Sequence, residues 1–410
     1  MSWELISFEK LYSVDSRNGL TKPSKIRGSG FKMINMGELF ANDRIYDIPM
    51  ELVPLNDKEK ASAKVEKDDL LFARQSLVLE GAGKCSIVMN VSPLTVFESH
   101  IIRVRLNQEL ANPLFYYYYF RSPYSPVKTI VSQCAQAGIR GSDLQKLAVV
   151  FPPIETQRRI ADILSAYDNL IENNQKQIKL LEEAAQRLYK EWFVDFRFPG
   201  YENTPIVDGL PEGWKLKELG NIFDFVRGKS YKSNELSETQ GVLFLNLKSI
   251  RPFGGYNRNA EKRFTGKYNK NQSLCPGDII MGVTDMTKER RLVGQVAIVP
   301  NLKEEMTFSM DLIKLEPKCV LNSYLYSTFF YGGFSHTLSP YANGVNVLHL
   351  KPESIMKLRM LVPTLKAMQA FDHFFTSINT KIELLEDQTN IAKSARDLLL
   401  PKLMSGEIEV

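Results

Sequence analysis

The sequence contains an internal repeat, which restricts the possible folds more strongly than any other feature. Residues 3–5 (Trp-Glu-Leu) are similar to residues 214–216 (Trp-Lys-Leu), and residues 83–88 are similar to residues 294–299, in both cases 211 positions later. A third match, which begins at Asp69, has a spacing of 209, the kind of difference that a loop insertion produces. Similarity at a nearly constant spacing indicates that one structural unit is used twice. The sequence therefore predicts two similar globular domains in tandem.

Each repeat ends in a long segment whose apolar residues follow a heptad pattern, as in a coiled coil. The first segment follows Pro152 and Pro153 and the second follows Pro363. Proline is common at such positions because it precedes helices but disrupts their interior. The predicted seam residues are Ile160, Leu164, Tyr167, Ile171, Asn174, Ile178, Leu181 and Leu188 in the first helix and Phe371, Phe375, Ile378, Ile382, Leu385, Ala392 and Leu399 in the second.

Two helices of this kind in one chain can bury their seams against each other as an antiparallel pair. Asn174 on the first seam is expected to fix the register at some cost in stability. Thr389 and Arg396 interrupt the second seam, and Pro401 is expected to end the second helix. The alternative is that each helix packs only on its own globular domain.

The whole pattern predicts an α+β fold in which two similar mixed domains are held apart by the two helices. Residues 1–153 form the first domain, 154–197 the first helix, 198–213 a Pro- and Gly-rich linker, 214–363 the second domain, and 364–410 the second helix with the C-terminal tail. Residues 69–73 and 279–281 are predicted to be buried strands. The aromatic run at residues 115–120 follows Asn112 and Pro113, so a buried helix is expected there.

Composition and motifs exclude several classes of protein. The chain has 44% hydrophobic and 24% charged residues and no apolar run long enough to span a membrane, so a globular cytoplasmic protein is expected. The four cysteines are far apart in sequence, which argues against a zinc site. Residues 228–230 (Gly-Lys-Ser) lack the upstream glycine of a phosphate-binding loop, because Phe223 occupies that position. An enzyme therefore has little support.

Positive charge is concentrated in two segments. Residues 16–32 contain five basic and no acidic residues, and residues 225–291 contain thirteen basic and six acidic residues. The net charge of +5 alone indicates little, but local concentrations of this kind suit contact with a polyanion. The alternative for each segment is an ordinary solvated loop.

Three segments resemble the specificity subunits of type I restriction-modification systems. Residues 152–160 read Pro-Pro-Ile-Glu-Thr-Gln-Arg-Arg-Ile, and residues 190–197 read Lys-Glu-Trp-Phe-Val-Asp-Phe-Arg. Residues 395–408 are similar to the closing segment of that family. Residues 363–369 depart from the pattern, because they keep one proline and displace the glutamine.

The resemblance implies a non-catalytic DNA-binding subunit. Each globular domain would be a target recognition domain for one half of a bipartite, asymmetric site in double-stranded DNA. The helices would set the spacer and dock two methyltransferase subunits, and ATP-dependent restriction subunits would join that core. S-adenosylmethionine, ATP and magnesium would be bound by those partners, and no cofactor by this chain. Two alternatives remain: a stand-alone enzyme that modifies or cleaves DNA, and a coiled-coil scaffold for protein interactions.

Candidate DNA contacts are polar and basic side chains near predicted strand ends and in glycine-containing loops. Cations add affinity through phosphates, whereas Arg and Gln also suit guanine and adenine edges. The candidates in the first domain are Lys22, Lys25, Arg27, Arg74, Gln75, Ser76, Arg140 and Ser142. Those in the second domain are Arg227, Lys229, Tyr231, Lys232, Thr284, Lys288, Arg290, Arg291, Asn343 and Asn346. For any one of them, a solvated surface role is the alternative.

Overall fold

The computed structural model has its helices and strands in the order that a tandem repeat predicts. It describes residues 3–133, 137–258, 262–287 and 289–410. The chain forms two units, Met1–Asn173 with Gln388–Val410, and Asn174–Asp387. Each unit combines sheets, short helices and parts of two long helices, so the predicted mixed fold with tandem domains is confirmed.

The first unit contains a five-stranded sheet in the order β2-β10-β6-β8-β4 and smaller sheets β1-β13, β5-β3-β9 and β11-β12-β7. The strands are β1 (Glu4–Ser7), β2 (Tyr12–Asn18), β3 (Phe31–Ile34), β4 (Arg44–Ile45), β5 (Glu51–Val53), β6 (Leu70–Ala73), β7 (Gln75–Ser76), β8 (Cys85–Val88), β9 (Val96–Phe97), β10 (Ile101–Leu106), β11 (Ser132–Gln133), β12 (Ala137–Gly138) and β13 (Ala148–Phe151). The helices are α1 (Met36–Ala41), α2 (Asp57–Ser62), α3 (Pro113–Arg121), α4 (Gly141–Gln145) and the start of α5 (Ile154–Tyr189).

The second unit contains sheets in the orders β17-β26-β22-β24, β18-β20-β19-β25-β21 and β23-β28-β27, and the pairs β14-β15 and β16-β29. The strands are β14 (Ile206–Val207), β15 (Leu210–Pro211), β16 (Lys215–Glu218), β17 (Phe223–Arg227), β18 (Leu236–Ser237), β19 (Val242–Leu245), β20 (Lys262–Phe264), β21 (Ser273–Leu274), β22 (Ile279–Gly282), β23 (Thr284–Asp285), β24 (Val296–Ile298), β25 (Met306–Phe308), β26 (Leu312–Pro317), β27 (Ala342–Asn343), β28 (Leu348–Leu350) and β29 (Arg359–Val362). The helices are α6 (Asn322–Phe330), α7 (Phe334–Leu338), the rest of α5 and most of α8 (Leu365–Ser405), whose end belongs to the first unit.

The repeat extends to the pairing register of the strands. In the first unit, β1 runs antiparallel to β13 with Glu4 opposite Phe151. In the second unit, β16 runs antiparallel to β29 with Lys215 opposite Val362. Lys215 lies 211 positions after Glu4, and Val362 lies 211 positions after Phe151. The two repeats therefore pair these strands in the same register.

The buried strands and the aromatic helix are also as predicted. All residues of β6 and of β22 are buried, as expected for the continuous apolar runs of inner strands. Residues 115–120 lie in α3 and are all buried. The side chain of Asn112 accepts a hydrogen bond from the backbone N–H of Phe115 and so caps the start of α3.

The two long helices run antiparallel within each unit. In the first unit, Ile160 and Leu164 of α5 share a core with Leu403 and Met404 near the end of α8. In the second unit, Trp192, in a π-helical turn that continues α5, makes an edge contact with Phe371 near the start of α8. Later positions of one helix therefore meet earlier positions of the other, as a coiled-coil pair predicts. The helices also pack on the globular part of each unit. Packing on the globular domains, the alternative to a helix pair, therefore occurs together with helix pairing.

The predicted seam drifts by one residue in places. The seam residues that are buried are Ile160, Leu164, Ile171, Asn174, Phe371, Phe375, Ile382, Leu385 and Ala392. The remaining predicted positions are half-buried, namely Tyr167, Ile178, Leu181, Leu188, Ile378 and Leu399. Asp168 and Tyr189, one position after two of these, are buried instead. A straight α-helix has 3.6 residues per turn, whereas a heptad pattern assumes 3.5. The residue that faces the partner therefore moves to later positions along the helix.

Two local expectations need correction. Pro401 does not end the second helix, because α8 continues to Ser405. A proline this close to the end removes one backbone hydrogen bond, and burial of Leu403 and Met404 in the core keeps the last turn helical. The linker contains a β-hairpin of β14 and β15, whose turn residues Asp208 and Gly209 both have positive φ. An Asp-Gly pair favours this turn, so the dipeptide is a local hairpin signal within the Pro- and Gly-rich segment.

None of the helices in the described part of the chain is long and apolar enough to cross a membrane.

Candidate nucleic-acid interface

Most cations of the first basic segment are paired with acidic groups from elsewhere in the first unit. Lys22 lies 2.8 Å from the carboxylate of Glu59, and this hydrogen bond, with one from the backbone of Asn56, lowers the pKa of Glu59. Arg27 lies 2.6 Å from a carboxylate oxygen of Glu51. Lys25 is exposed and, among the described residues, has no ion-pair partner. The segment therefore presents less net positive charge than its sequence suggests.

The second basic segment contains several ion pairs and, among the described residues, some cations without an acidic partner. The guanidinium of Arg227 lies 2.7 Å from the carboxylate of Glu353, and both side chains are more than half exposed. Such a pair contributes little stability and is easily exchanged for a phosphate. Lys229 and Lys232 form no ion pair within the described residues.

Tyr231 is held by an aromatic contact rather than left free. Its ring packs edge-on against that of Phe244 with centroids 5.0 Å apart. Burial, followed by the charge of Asp311, raises the pKa of the Tyr231 hydroxyl, so the hydroxyl stays protonated at neutral pH.

The small sheet β11-β12-β7 brings three candidates of the first unit together. Gln75 in β7 lies opposite Gly138 in β12. The backbone N–H of Ile139 donates to the carbonyl of Arg74 at 2.9 Å, so exposed Arg140 follows directly after a residue bonded to Arg74. Arg74, Gln75 and Arg140 therefore lie at one edge of this sheet. Ser142 follows Arg140 by two positions, in the first turn of α4.

The sheet β23-β28-β27 repeats this arrangement in the second unit. Thr284 lies opposite His349, and the backbone N–H of Leu350 donates to the carbonyl of Val283 at 2.8 Å. Leu350 is followed by exposed Lys351, which lies 211 positions after Arg140. Lys351 is not among the candidates predicted from the sequence, although the repeat spacing leads from Arg140 to it.

Other candidates of the second unit are engaged to different degrees. Thr284 is buried, and its hydroxyl lies 3.4 Å from Nδ1 of His349. Arg290 donates to the carbonyl of Ser339 at 2.7 Å, and Arg291 lies 3.5 Å from a carboxylate oxygen of Glu289. Asn343 and Asn346 are exposed, as is Arg291, whereas Lys288 lies outside the described residues.

The residue that ends β7 and the residue that ends β23 form the same turn. The hydroxyl oxygen of Ser76 accepts a hydrogen bond from the backbone N–H of Val78 at 3.2 Å. One carboxylate oxygen of Asp285 accepts from the backbone N–H of Thr287 at 2.7 Å. The Ser76 oxygen therefore orders its own loop, and Asp285 is its counterpart, 209 positions later.

Asp285 also organises the loop that follows. Its second carboxylate oxygen accepts from the backbone N–H groups of Leu292 at 2.6 Å and Val293 at 3.1 Å. Burial opposes ionisation of this carboxyl group, but the hydrogen bonds outweigh burial and lower its pKa. Asp285 is therefore a charged anchor of the loop, fully enclosed by the protein.

Polar contacts join the long helices to the globular part of each unit. In the first unit, Arg44 lies 3.2 Å from the carboxylate of Glu172 in α5. In the second unit, Glu383 of α8, 211 positions after Glu172, lines a small polar cavity with Glu182 and Arg251. Burial raises the pKa of both Glu182 and Glu383. Polar and charged groups therefore lie between the long helices and the globular part in both units, with different partners in each.

Comparison with known proteins places this arrangement in a family. The family model described as "Type I restriction modification DNA specificity domain" matches residues 3–183 and again residues 211–393. The type I restriction enzyme MjaIX specificity subunit of Methanocaldococcus jannaschii is 26% identical over 341 residues, which cover 78% of this chain and 74% of that protein. The MjaVIII specificity subunit of the same organism is 22% identical over 360 residues, covering 85% and 82%.

A solved structure has the same fold. The crystal structure of the type I restriction-modification S subunit from M. genitalium superposes with a TM-score of 0.62 at 14% identity, covering 98% of this chain and 96% of that one. Two copies of one family domain thus account for most of the sequence. The chain belongs to the type I restriction-modification DNA specificity family.

Proposed function

We propose that this chain is the DNA sequence-specificity subunit of a type I restriction-modification complex. Each domain reads one half of a bipartite, asymmetric site. The observation that carries the proposal is the pair of three-stranded sheets, which share backbone pairing but differ in side chains. Gln75 and Thr284 occupy equivalent positions, and so do Arg140 and Lys351. One framework with different polar side chains suits two readers of different sequences.

Unpaired cations in both units support contact with duplex DNA. The side chains of Arg74, Arg140, Lys229, Lys232 and Lys351 form no ion pair with any acidic group that the structure describes. Cations without an acidic partner attract phosphates and displace counterions, which supplies affinity without sequence preference. The polar side chains beside them then supply the sequence preference.

The long helices are the proposed docking surface for two methyltransferase subunits. In the first unit, Ile391 and Leu398 of α8 are exposed, and in the second unit Leu180 of α5 and Leu384 of α8 are exposed. Apolar side chains at exposed helix positions indicate a surface that a partner covers. Those subunits bind S-adenosylmethionine and methylate an adenine extruded from the duplex. Restriction subunits use ATP and magnesium, and this chain supplies no catalytic group.

The direct experiment is to express the chain with its methyltransferase subunit in a host that lacks adenine methylation. Sequencing of methylated adenines should return one asymmetric motif with two specific parts separated by a fixed spacer. Cleavage or methylation by the chain alone would favour a stand-alone enzyme. Failure of the assembled complex to bind DNA would favour a protein scaffold.

Arg74 tests the assignment of one domain to one half-site. Arg74→Ala should weaken binding of the complete site by about 1–3 kcal/mol and relax base choice in one half only. A similar loss on all DNA sequences would make Arg74 a phosphate contact, and loss of preference in both halves would contradict separate reading.

The spacer role of the helices has its own test. Inserting one heptad into α5 and one into α8 keeps the seam in frame and lengthens each helix by about 10 Å at about 1.5 Å per residue. The tolerated spacer should then grow by about three base pairs at about 3.4 Å each. The control inserts the same number of residues in the turn at Asp208 and Gly209, which should leave the spacer unchanged. An unchanged spacer in the helix variant would show that the helices do not set it.

A further inference from the structure

A large apolar side chain projects into solvent directly after the equivalent strands β7 and β23. Leu77 is 89% exposed and Met286 is 73% exposed. The two residues lie 209 positions apart, at the same place in each repeat. A single exposed apolar residue needs no explanation. The same exposure at one position in two domains whose sequences otherwise differ indicates a shared role on the surface.

The turn that presents these side chains is built into each domain. The residue before the tip accepts a hydrogen bond from the residue after it: Ser76 from the backbone N–H of Val78, and Asp285 from that of Thr287. A side-chain-to-backbone bond of this type forms a local turn, and the middle residue of both turns is exposed.

Further contacts hold both turns in place. In the first unit, Gly81 packs so closely that an added Cβ would lie 2.2 Å from the hydroxyl oxygen of Ser76. In the second unit, Asp285 also binds the backbone of Leu292 and Val293. Because each tip is ordered in the free protein, little conformational entropy is lost when it binds a partner.

Polar and basic side chains lie beside each tip, and in the first unit the exposed apolar residues Val78 and Leu79 follow it directly. Leu77 follows Gln75 and Ser76 on the sheet edge that carries Arg74 and Arg140. Met286 comes directly after β23, which contains Thr284. This strand pairs with β28, and Lys351 directly follows β28. An apolar side chain with cations beside it can meet charged and apolar groups of the same partner. It matches a DNA groove, where phosphates flank base edges and the methyl group of thymine.

We propose that Leu77 and Met286 each enter a DNA groove and contact the 5-methyl group of a thymine, one in each half-site. This inference rests on the proposed function and adds the two apolar side chains that carry part of the base reading. The neighbouring cations hold the phosphates on either side, so that the tip reaches the base edge.

The test uses the complex with methyltransferase subunits and the DNA motif found by methylation sequencing. Leu77→Ala should lower affinity for the complete site by about 5- to 20-fold and leave affinity for unrelated DNA unchanged. Base discrimination should relax at one or two pairs of one half-site, and Met286→Ala should do the same in the other half. Replacing the contacted thymine by deoxyuridine should weaken the unmodified complex by a similar factor and have no effect on the alanine variant.

Matched controls come from the repeat itself. Leu5 in β1 and Leu216 in β16 are equivalent exposed leucines, 62% and 56% exposed, on strands outside the sheets β11-β12-β7 and β23-β28-β27. Leu5→Ala and Leu216→Ala should leave DNA binding unchanged. Leu77→Met should preserve affinity, because the second domain uses methionine at this position.

Each outcome decides the inference. No change in Leu77→Ala, an equal loss on all DNA, or impaired assembly with methyltransferase subunits would overturn it. Unchanged affinity after deoxyuridine replaces every thymine of a half-site would also overturn it. If the unmodified complex itself binds no DNA, the proposed function fails, a result distinct from failure of this inference.

Discussion

The guanidinium of Arg396 in α8 is hydrogen-bonded to the carboxylate of Asp168 in α5. The second oxygen of that carboxylate accepts a hydrogen bond of 2.6 Å from the hydroxyl of Tyr118 in α3. Burial opposes the charge on Arg396, but its bonds to Asp168 and Asp397 outweigh burial and raise its pKa. The residue that interrupts the predicted seam of α8 therefore has a charged partner, and together they join α5, α8 and the globular part of the first unit.

Removing this guanidinium should destabilise the first unit. Arg396→Met keeps the aliphatic stem but leaves the buried carboxylate of Asp168 with Tyr118 as its remaining partner. Because Arg396 is partly exposed, the loss should be smaller than for a fully buried pair, about 1–3 kcal/mol in the free energy of unfolding. Urea unfolding followed by circular dichroism measures it.

The control for that change is an exposed pair on α5, the helix that carries Asp168. Arg158 lies 2.6 Å from Glu155 one turn away, and both side chains are about half exposed or more. Arg158→Met should change the unfolding free energy by less than about 0.5 kcal/mol. Equal effects of the two substitutions would contradict a structural role for the buried pair.

Asp285 should make the second unit sensitive to acid. Asp285→Asn places an amide N–H₂ group or a neutral oxygen opposite backbone donors that now bind a carboxylate. Buried donors left without an acceptor cost about 1–3 kcal/mol each, so we expect a loss of about 2 kcal/mol at pH 7. The measurement is the urea midpoint of the transition that reports the second unit.

The pH dependence follows from the lowered pKa of Asp285. An unfolded aspartate has a pKa of about 3.9, and the folded value is lower, so the stabilisation is fully present above pH 4. It is lost as the pH falls through the folded pKa. The stability difference between the unmodified protein and Asp285→Asn should therefore be constant near neutrality and shrink below pH 4. A difference that persists to lower pH would contradict this assignment.

Two tyrosines that make the same hydrogen bond in the two repeats should contribute equally to the free energy of unfolding. The hydroxyl of Tyr116 donates to the carbonyl of Val150 at 2.9 Å, and that of Tyr324 donates to Leu361 at 2.6 Å. Tyr116→Phe and Tyr324→Phe each remove one such bond, at a cost of about 1 kcal/mol.

The control for the two tyrosines is Tyr124→Phe, which alters a half-exposed ring and should have almost no effect. Urea midpoints distinguish the outcomes. If only one of the two substitutions lowered the urea midpoint, the same hydrogen-bond geometry would not contribute the same stability in both repeats.

The fold was predictable because its signals are periodic and repeated. Heptads mark the two long helices, and a spacing of 211 residues marks equivalent strands such as β1 and β16. Partners brought together by the tertiary fold carry no local signal. Arg396 and Asp168 are 228 positions apart. The sequence pattern therefore shows Arg396 only as a polar interruption of the apolar seam of α8, without its partner.

The candidate site was less predictable for the same reason. Counting charges in residues 16–32 suggested a free basic loop, yet Glu59 neutralises Lys22 from 37 positions away. Leu77 and Met286 were missed because exposure depends on the turn that presents a side chain, and hydrophobic residues are expected inside. Lys351 is predictable from Arg140, because it lies one repeat spacing of 211 residues later. This relation depends on position and holds whichever residue type occupies the site.

Asn174 offers a test of polar burial within the helix pair. Its side chain is 2% exposed, and among the described residues its amide nitrogen has no hydrogen-bond partner. A buried amide without a partner costs about 1–3 kcal/mol. Asn174→Leu should therefore raise the free energy of unfolding by about 1–2 kcal/mol, because leucine fills a seam position and leaves no polar group unpaired.

Leucine also favours helices more than asparagine, so burial must be separated from helix propensity. Asn173, the preceding residue of α5, is exposed, and Asn173→Leu makes the same chemical change in the same helix. The difference in unfolding free energy between the two variants isolates the burial contribution. If Asn174→Leu stabilises the chain but widens the range of accepted DNA spacers, the asparagine fixes the register of the helices. If it destabilises the chain more than Asn173→Leu does, the amide makes a favourable contact and the register argument is wrong.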